Sequence, residues 1–165
     1  MTHPMKLTLA CGLLAATCWA QNEGTKSPEP TRYFHLDYAV LELEGGKVVN
    51  TRHYLTTTDN AEACSIRTGS RVPVATSNST FTYFDVGVNI DCSHAHEVNG
   101  NLAIKVAADI SSLAAAQNTQ QPVIRQNKWS ANVIVPLNKP TVIFSSDDVA
   151  SKGQMQFELT ATPIK

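Results

Sequence analysis

The stretch from Cys64 to Cys92 constrains the fold more than any other, because it reads as one β-hairpin turned about Asn78. One limb is Cys64-Ser-Ile-Arg-Thr-Gly-Ser-Arg-Val-Pro-Val74 and the other is Phe81-Thr-Tyr-Phe-Asp-Val-Gly-Val-Asn-Ile-Asp-Cys92. Between them, Ala75-Thr-Ser-Asn-Ser-Thr80 is a polar cluster of the kind that joins strands. Pairing about Asn78 sets Cys64 opposite Cys92, Ile66 opposite Ile90 and Val72 opposite Phe84. All of these are even-numbered, so their side chains leave the ribbon on one face. Gly69 and Gly87 are the positions at which a bulge would shift this register by one.

The rest of the chain repeats the pattern. Tyr33 to Leu43 alternates, with Phe34, Leu36, Tyr38 and Val40 on one face. Glu44-Gly-Gly-Lys47 supplies the positive φ that a two-residue hairpin loop needs, and Val48 to Thr57 returns as the partner strand. Thr58 to Glu62 is a loop into the cysteine hairpin. Val98-Asn-Gly-Asn101 is a stronger turn signal, and the outgoing strand puts Leu102, Ile104, Val106, Ala108 and Ile110 on one face. Ser111 to Gln121 has an amide-rich tail and reads as a loop. Val123 to Val135 resumes strand character, Asn138-Lys-Pro140 turns the chain, and Thr141 to Ser145 pairs back. Asp147 to Gly153 links to a last strand from Met155 to Pro163. The expectation is an all-β protein: an antiparallel hairpin meander forming a sandwich or a curled sheet, with hardly any helix.

Composition sets the compartment. Residues 1–20 read as a signal peptide, with Lys6 as the positive end, an apolar stretch from Leu7 to Thr17, and Cys18-Trp-Ala20 before Gln21 as the cleavage site. Lipidation at Cys18 within Leu14-Ala-Ala-Thr-Cys18 is the rival processing route, with Thr17 an unusual residue at that position. Residues 21–31 carry nothing apolar to bury and read as a disordered linker, which leaves 32–165 as one domain. Removing Lys6 takes the net charge from −1 to about −2, so no basic field favours nucleic acid. Later apolar runs are strand-length, and no transmembrane helix is expected in the mature chain. Of the four cysteines only Cys64 and Cys92 lie beyond the signal, and an exported protein with two is a candidate for one disulfide. Two buried free thiols are the alternative.

The same strands resemble the C-terminal β-domain of bacterial secretins, the ring-forming outer-membrane proteins of secretion and pilus systems. Gly69-Ser-Arg-Val-Pro-Val74 is similar to the secretin segment in which a glycine precedes a Val-Pro-Val-type strand. Tyr83-Phe-Asp-Val-Gly-Val-Asn-Ile90 is similar to the aromatic-x-Asp-Val-Gly strand that follows it. Asn99-Gly-Asn-Leu-Ala-Ile-Lys-Val106 with Ala108-Asp-Ile-Ser-Ser-Leu113, then Pro140-Thr-Val-Ile-Phe144, then Glu158-Leu-Thr-Ala-Thr-Pro163 continue the match in order. The chain departs from secretins after the Thr-Val strand. Ile143-Phe-Ser-Ser-Asp-Asp148 replaces their Gly-Gly-Leu step, and only Val149-Ala-Ser-Lys-Gly-Gln154 stands where they carry a gate and lip insertion. Residues 21–31 leave no room for ring-building domains. The resemblance therefore implies a β-module alone, not a conducting pore by itself.

Few residues point to chemistry. His94 and His96 stand at i and i+2, the same side of a regular strand, and are the candidate metal ligands. Glu97 adjoins them, and His35 and His53 lie on the preceding hairpin, but no third ligand at a metal-site spacing accompanies them, so neither a metal nor another cofactor is expected. Asp147-Asp148 lacks the spaced oxygen ligands of a calcium loop and reads as a turn. Arg67-Thr-Gly-Ser70 lacks the frame of a nucleophile elbow, and no catalytic residue is assigned. The function expected is a non-enzymatic, exported envelope protein, periplasmic or associated with the outer membrane. It acts through contacts with other envelope proteins, in the setting of secretion or pilus assembly that the resemblance implies. The alternative is a soluble periplasmic module for a small molecule or glycan, with a pocket lined by Trp129, Tyr83 or His94.

Overall fold

The computed structural model describes residues 30–77, 80–113, 123–148 and 153–164. The expected signal peptide, nearly all of the linker, the tip of the hairpin at Asn78 and most of the 111–121 loop lie outside the described residues. The described chain forms eight strands: β1 Tyr33–Glu44, β2 Lys47–Asp59, β3 Cys64–Ser77, β4 Thr80–Val98, β5 Asn101–Leu113, β6 Ile124–Pro136, β7 Thr141–Asp147 and β8 Gly153–Ile164. No helix among the described residues is long and apolar enough to cross a membrane.

Two antiparallel four-stranded sheets result, ordered β2-β1-β8-β7 and β3-β4-β5-β6. The second is an unbroken meander. The first is made of two hairpins, β1–β2 and β7–β8, joined where β8 pairs with β1 from Tyr33↔Ile164 to Glu44↔Gly153. The turns are those that glycine and asparagine specify: Gly45 and Gly46 have φ of 57° and 79°, and Asn99 and Gly100 have 50° and 76°. Positive φ at both central residues matches the right-handed twist of the strands entering and leaving.

The sheets pack face to face through their alternating residues. Phe34, Leu36, Tyr38 and Val40 of β1 and Phe157, Leu159 and Ala161 of β8 meet Val88, Ile90 and Cys92 of β4 and Leu102, Ile104, Val106 and Ala108 of β5. Full burial of each large aliphatic or aromatic side chain contributes about 1.5–3 kcal/mol. Trp129 on β6 stacks on Phe144 of β7 at 5.2 Å between ring centroids and meets Phe157 edge-on at 5.7 Å, tying the two sheets along one side. Tyr38 stacks on Phe157 at 5.5 Å. Burial pushes its phenol well above the ordinary tyrosine range, and its hydroxyl finds no partner among the described residues.

Three local expectations change. Ser111, Ser112 and Leu113 belong to β5, paired with Gln126, Arg125 and Ile124, because β6 offers them a full ladder. Ala75, Thr76, Ser77 and Thr80 are strand, and the cysteine hairpin closes at Ser77↔Thr80 after a one-residue shift. A bulge between Glu42 and Leu43 resets the β1–β2 register, so that Val40 faces Arg52 and Tyr38 faces Tyr54. A one-residue shift turns every side chain of a strand over. It directs Arg52 and Tyr54 toward the other sheet and leaves Leu55 outside, 60% exposed.

Candidate protein-interaction surface

The cysteine hairpin divides into a root inside the sandwich and an arm beyond it. At the root, Cys64 and Cys92 are directly opposite, both buried, with Cα atoms 5.0 Å apart and the sulfurs joined as a disulfide. That separation lies within the span a disulfide bridges. Ile66↔Ile90 and Thr68↔Val88 follow, and then Gly69 faces Gly87 with no shift of register. No bulge occurs at this pair, and the register about Asn78 holds; the two glycines let the strands approach closely. A Cβ on Gly87 would overlap the Thr68 carbonyl oxygen and the Gly69 Cα, and one on Gly69 would collide with the Val86 carbonyl oxygen.

β5 leaves β4 at the same point. Its last pair with β4 is Val88↔Ile110. Ser111 caps the ladder: its Oγ accepts a hydrogen bond from the Gly87 N–H at 3.0 Å and donates to the Gly87 carbonyl oxygen at 3.4 Å. Among the described residues, β4 pairs with β3 alone from Gly87 outward to Thr80. The arm is therefore a two-stranded ribbon, an arrangement marginally stable in water without further packing.

Its two faces differ. The even-numbered face continues the core side of the root as Val86, Phe84, Val72 and Val74, beyond the reach of the opposing sheet. Val88 is 2% exposed, whereas Phe84, two pairs further out, is 43% exposed. On the odd face Arg71 lies over the Tyr83 ring at 5.6 Å and reaches Asp85 at 3.3 Å. Both charges are well exposed, so this ion pair adds little stability. Phe81, opposite Ala75 near the tip, is exposed. Apolar side chains in one strip on an unsupported ribbon are the feature that a partner surface has and a free loop lacks.

The residues examined for chemistry do not assemble into a site. The pairing of β4 with β5 shifts between Ser93 and His96, with His94 at φ 57°. The bulge corrects the expectation that two residues apart means one side of the strand at this point. His94 Nδ1 lies 2.9 Å from Ser93 Oγ and His96 Nδ1 lies 2.8 Å from the His94 carbonyl oxygen. No group of three or more His, Cys, Asp or Glu able to hold a metal ion occurs among the described residues. Asp148 pairs with Arg125 at 2.7 Å and Asp147 accepts a bond from Gln154 Nε2 at 3.0 Å. An unanticipated pair is His53 Nδ1 with Asp37 Oδ1 at 2.9 Å. The cross-strand neighbours of Asp37 are Leu55 and Thr160 and that of His53 is Ala39, so neither serine nor cysteine stands directly opposite the pair. The β1–β2 bulge brings these two together, and the turn residues alone do not reveal it. Trp129 borders a depression of about 500 Å³ with Arg67 and Asp109, without Tyr83 or His94.

No family model matches the chain, and no curated protein matches it in sequence. Its fold is that of secretins. The secretin InvG of the Salmonella SPI-1 type III secretion injectisome superposes with a TM-score of 0.61 at 9% identity over 83% of this chain and 66% of that one. InvG in the injectisome basal body, together with PrgH and PrgK, gives the same TM-score with 47% of that chain covered. The type II secretin GspD of enteropathogenic Escherichia coli gives 0.56 at 8% identity over 83% of this chain and 70% of that one. The chain thus spans about half to two thirds of the InvG chains it matches. At these identities the likeness is one of fold.

Proposed function

We propose that this protein is a non-enzymatic component of the bacterial cell envelope that works by holding other envelope proteins, in secretion or pilus assembly. The observation that carries this reading is the apolar strip of exposed Phe84 and half-buried Val86, Val72 and Val74 on a ribbon with no third strand among the described residues. The secretin-like fold supplies the setting, since the InvG basal body is itself a multi-protein envelope assembly. β7 ends at Asp147 and β8 begins at Gly153, which leaves no insertion of gate length between them and favours a contact module over a conducting pore. Export of residues 21–165 after cleavage at Ala20 fits the same reading.

Site-specific photo-crosslinking from position 84, in the envelope of the producing bacterium, tests it. The expected result is a discrete adduct from position 84 and none from position 55 on the outer face of β2. Equal labelling from both positions, or an exported protein that crosslinks from neither, would overturn the proposal.

A further inference from the structure

The outer face of the β3–β6 sheet is hollowed rather than flat. Strand register puts Arg67, Asn89, Asp109 and Lys128 in one row across the four strands, and Ser65, Asp91, Ala107 and Ser130 in the next. Residues directly opposite share a face, and these alternate with the buried Ile90 and Ala108, so both rows point away from the core. The depression of about 500 Å³ beside Trp129 lies over these rows, and a second of about 300 Å³ lies toward the arm over Gly69 and Gly87. Arg67 and Asn89 border both, so the two form one trough along β4. Its size falls in the range of about 300–1,000 Å³ typical of small-molecule sites.

The polar groups of the trough are anchored. Arg67 lies along the sheet, donating to the Ile66 and Ile90 carbonyl oxygens at 2.9 and 3.0 Å and to Asp91 at 2.6 Å, which draws it away from Gly69. Arg71 is drawn the other way, to Asp85 and over Tyr83, so the glycine pair between the two arginines presents bare backbone. Asp109 accepts from Gln126 Nε2 through both oxygens, at 2.7 and 2.9 Å. Exposed ion pairs add little stability; what the anchoring supplies is a preorganised set of donors and acceptors. In their midst the exposed Asn89 amide has no hydrogen-bond partner among the described residues, which leaves both its donor and its acceptor ends open. The charges of the lining cancel, Arg67 with Asp91, Lys128 with Asp109 and Arg71 with Asp85. Outward side chains in these rows are polar or small, so the face lacks the aromatic and aliphatic anchors of a protein contact. Balanced charge, fixed planar hydrogen-bonding groups and a side-chain-free floor suit a neutral polyhydroxylated molecule. We infer that the trough binds a neutral glycan chain, with adjacent hydroxyls on the Asn89 amide, Arg67 and Asp91. One sugar ring lies over the glycine pair and the next over Ala107. The site is separate from the strip on the arm, and neither Phe84 nor Val72 lines it.

Titration of the exported, processed protein with chitotetraose, cellotetraose and maltotetraose, followed by amide chemical shifts, tests the inference; tetragalacturonate serves as an acidic chain of similar length. The expected result is saturable binding of at least one neutral chain, with shifts centred on Gly87, Asn89 and Ala107, and no tighter binding of tetragalacturonate. Asn89→Ala should weaken binding by about tenfold, the loss of one or two hydrogen bonds. Ala107→Leu should abolish it by filling the floor. Asn89 is exposed and Ala107 is half-buried on the outer face, where folding tolerates the exchange. Phe84→Ser should bind the chain as the unmodified protein does, which separates this test from that of the arm. Binding of none of the neutral chains, shifts centred on another face, tighter binding of the acidic chain, or affinity that survives both Asn89→Ala and Ala107→Leu would overturn the inference.

Discussion

Gly87 lies so close against Gly69 across the β3–β4 pair that a side chain on it would overlap backbone atoms of the facing strand. The contact sits where the sandwich ends and the arm begins, between the buried Val88 and the exposed Phe84. It lets two strands stay in register through a tight approach, while Ser111 seals the edge that β5 vacates.

Gly87→Ala should therefore destabilise the protein by roughly 2–3 kcal/mol, the scale of forced overpacking with backbone displacement. Urea unfolding measures this, and hydrogen exchange should show the loss of protection concentrated in the arm. A variant within about 0.5 kcal/mol of the parent would mean that the approach is not required.

The Cys64–Cys92 bond should be present in protein purified from the envelope. Alkylation without reductant followed by mass spectrometry should find neither thiol modified. Closing the loop between residues 28 apart removes about 3–4 kcal/mol of unfolded-state entropy in the chain-entropy model, so reduction should lower the urea midpoint accordingly. Two alkylated cysteines in the untreated protein would refute the assignment.

Tyr38 gives a pH-dependent signature. Its folded pKa is raised by burial, so its contribution to stability is complete below the unfolded value of about 10. Above that pH the unfolded state releases a proton that the folded state keeps, and stability falls by about 1.4 kcal/mol per pH unit for this one group. Tyr38→Phe should abolish this component and, by removing a buried hydroxyl without a partner, leave neutral-pH stability unchanged or slightly higher. Identical alkaline unfolding profiles of parent and variant would contradict it.

His94 holds a left-handed backbone conformation at the β4 bulge. His94→Gly should fold with unchanged or slightly greater stability, whereas His94→Val should cost roughly 1–2 kcal/mol, since a β-branched residue fits positive φ poorly. Dialysed protein should hold no stoichiometric zinc, nickel or copper in either the parent or the His94→Gly form. Retained metal that the substitution removes would restore the two histidines as ligands.

Local patterning accounts for what was legible in the chain alone. The alternation of Phe34, Leu36, Tyr38 and Val40, and of Leu102 through Ile110, marks core faces because the pleat repeats every two residues. Gly45-Gly46 and Asn99-Gly100 mark turns because so few residues accept positive φ. The facing of Cys64 with Cys92 follows from the hairpin's symmetry about Asn78, which holds from the root to Ala75↔Phe81.

Non-local packing decided the rest. The bulge at Glu42 and Leu43 has no signature in its residues, yet it reverses β2, places Arg52 within the sandwich and joins Asp37 to His53. The pairing of β1 with β8 links the two ends of the described chain and cannot be read from any hairpin turn. Whether Phe84 is core or surface depends on where the opposing sheet stops, and its own alternation with Val86 and Val88 is the same in either case. Sequence thus determined which strands form and which residues share a face, because those depend on near neighbours along the chain. Tertiary structure alone decided which faces are covered, and so where the arm and the trough lie, because coverage depends on strands distant in sequence.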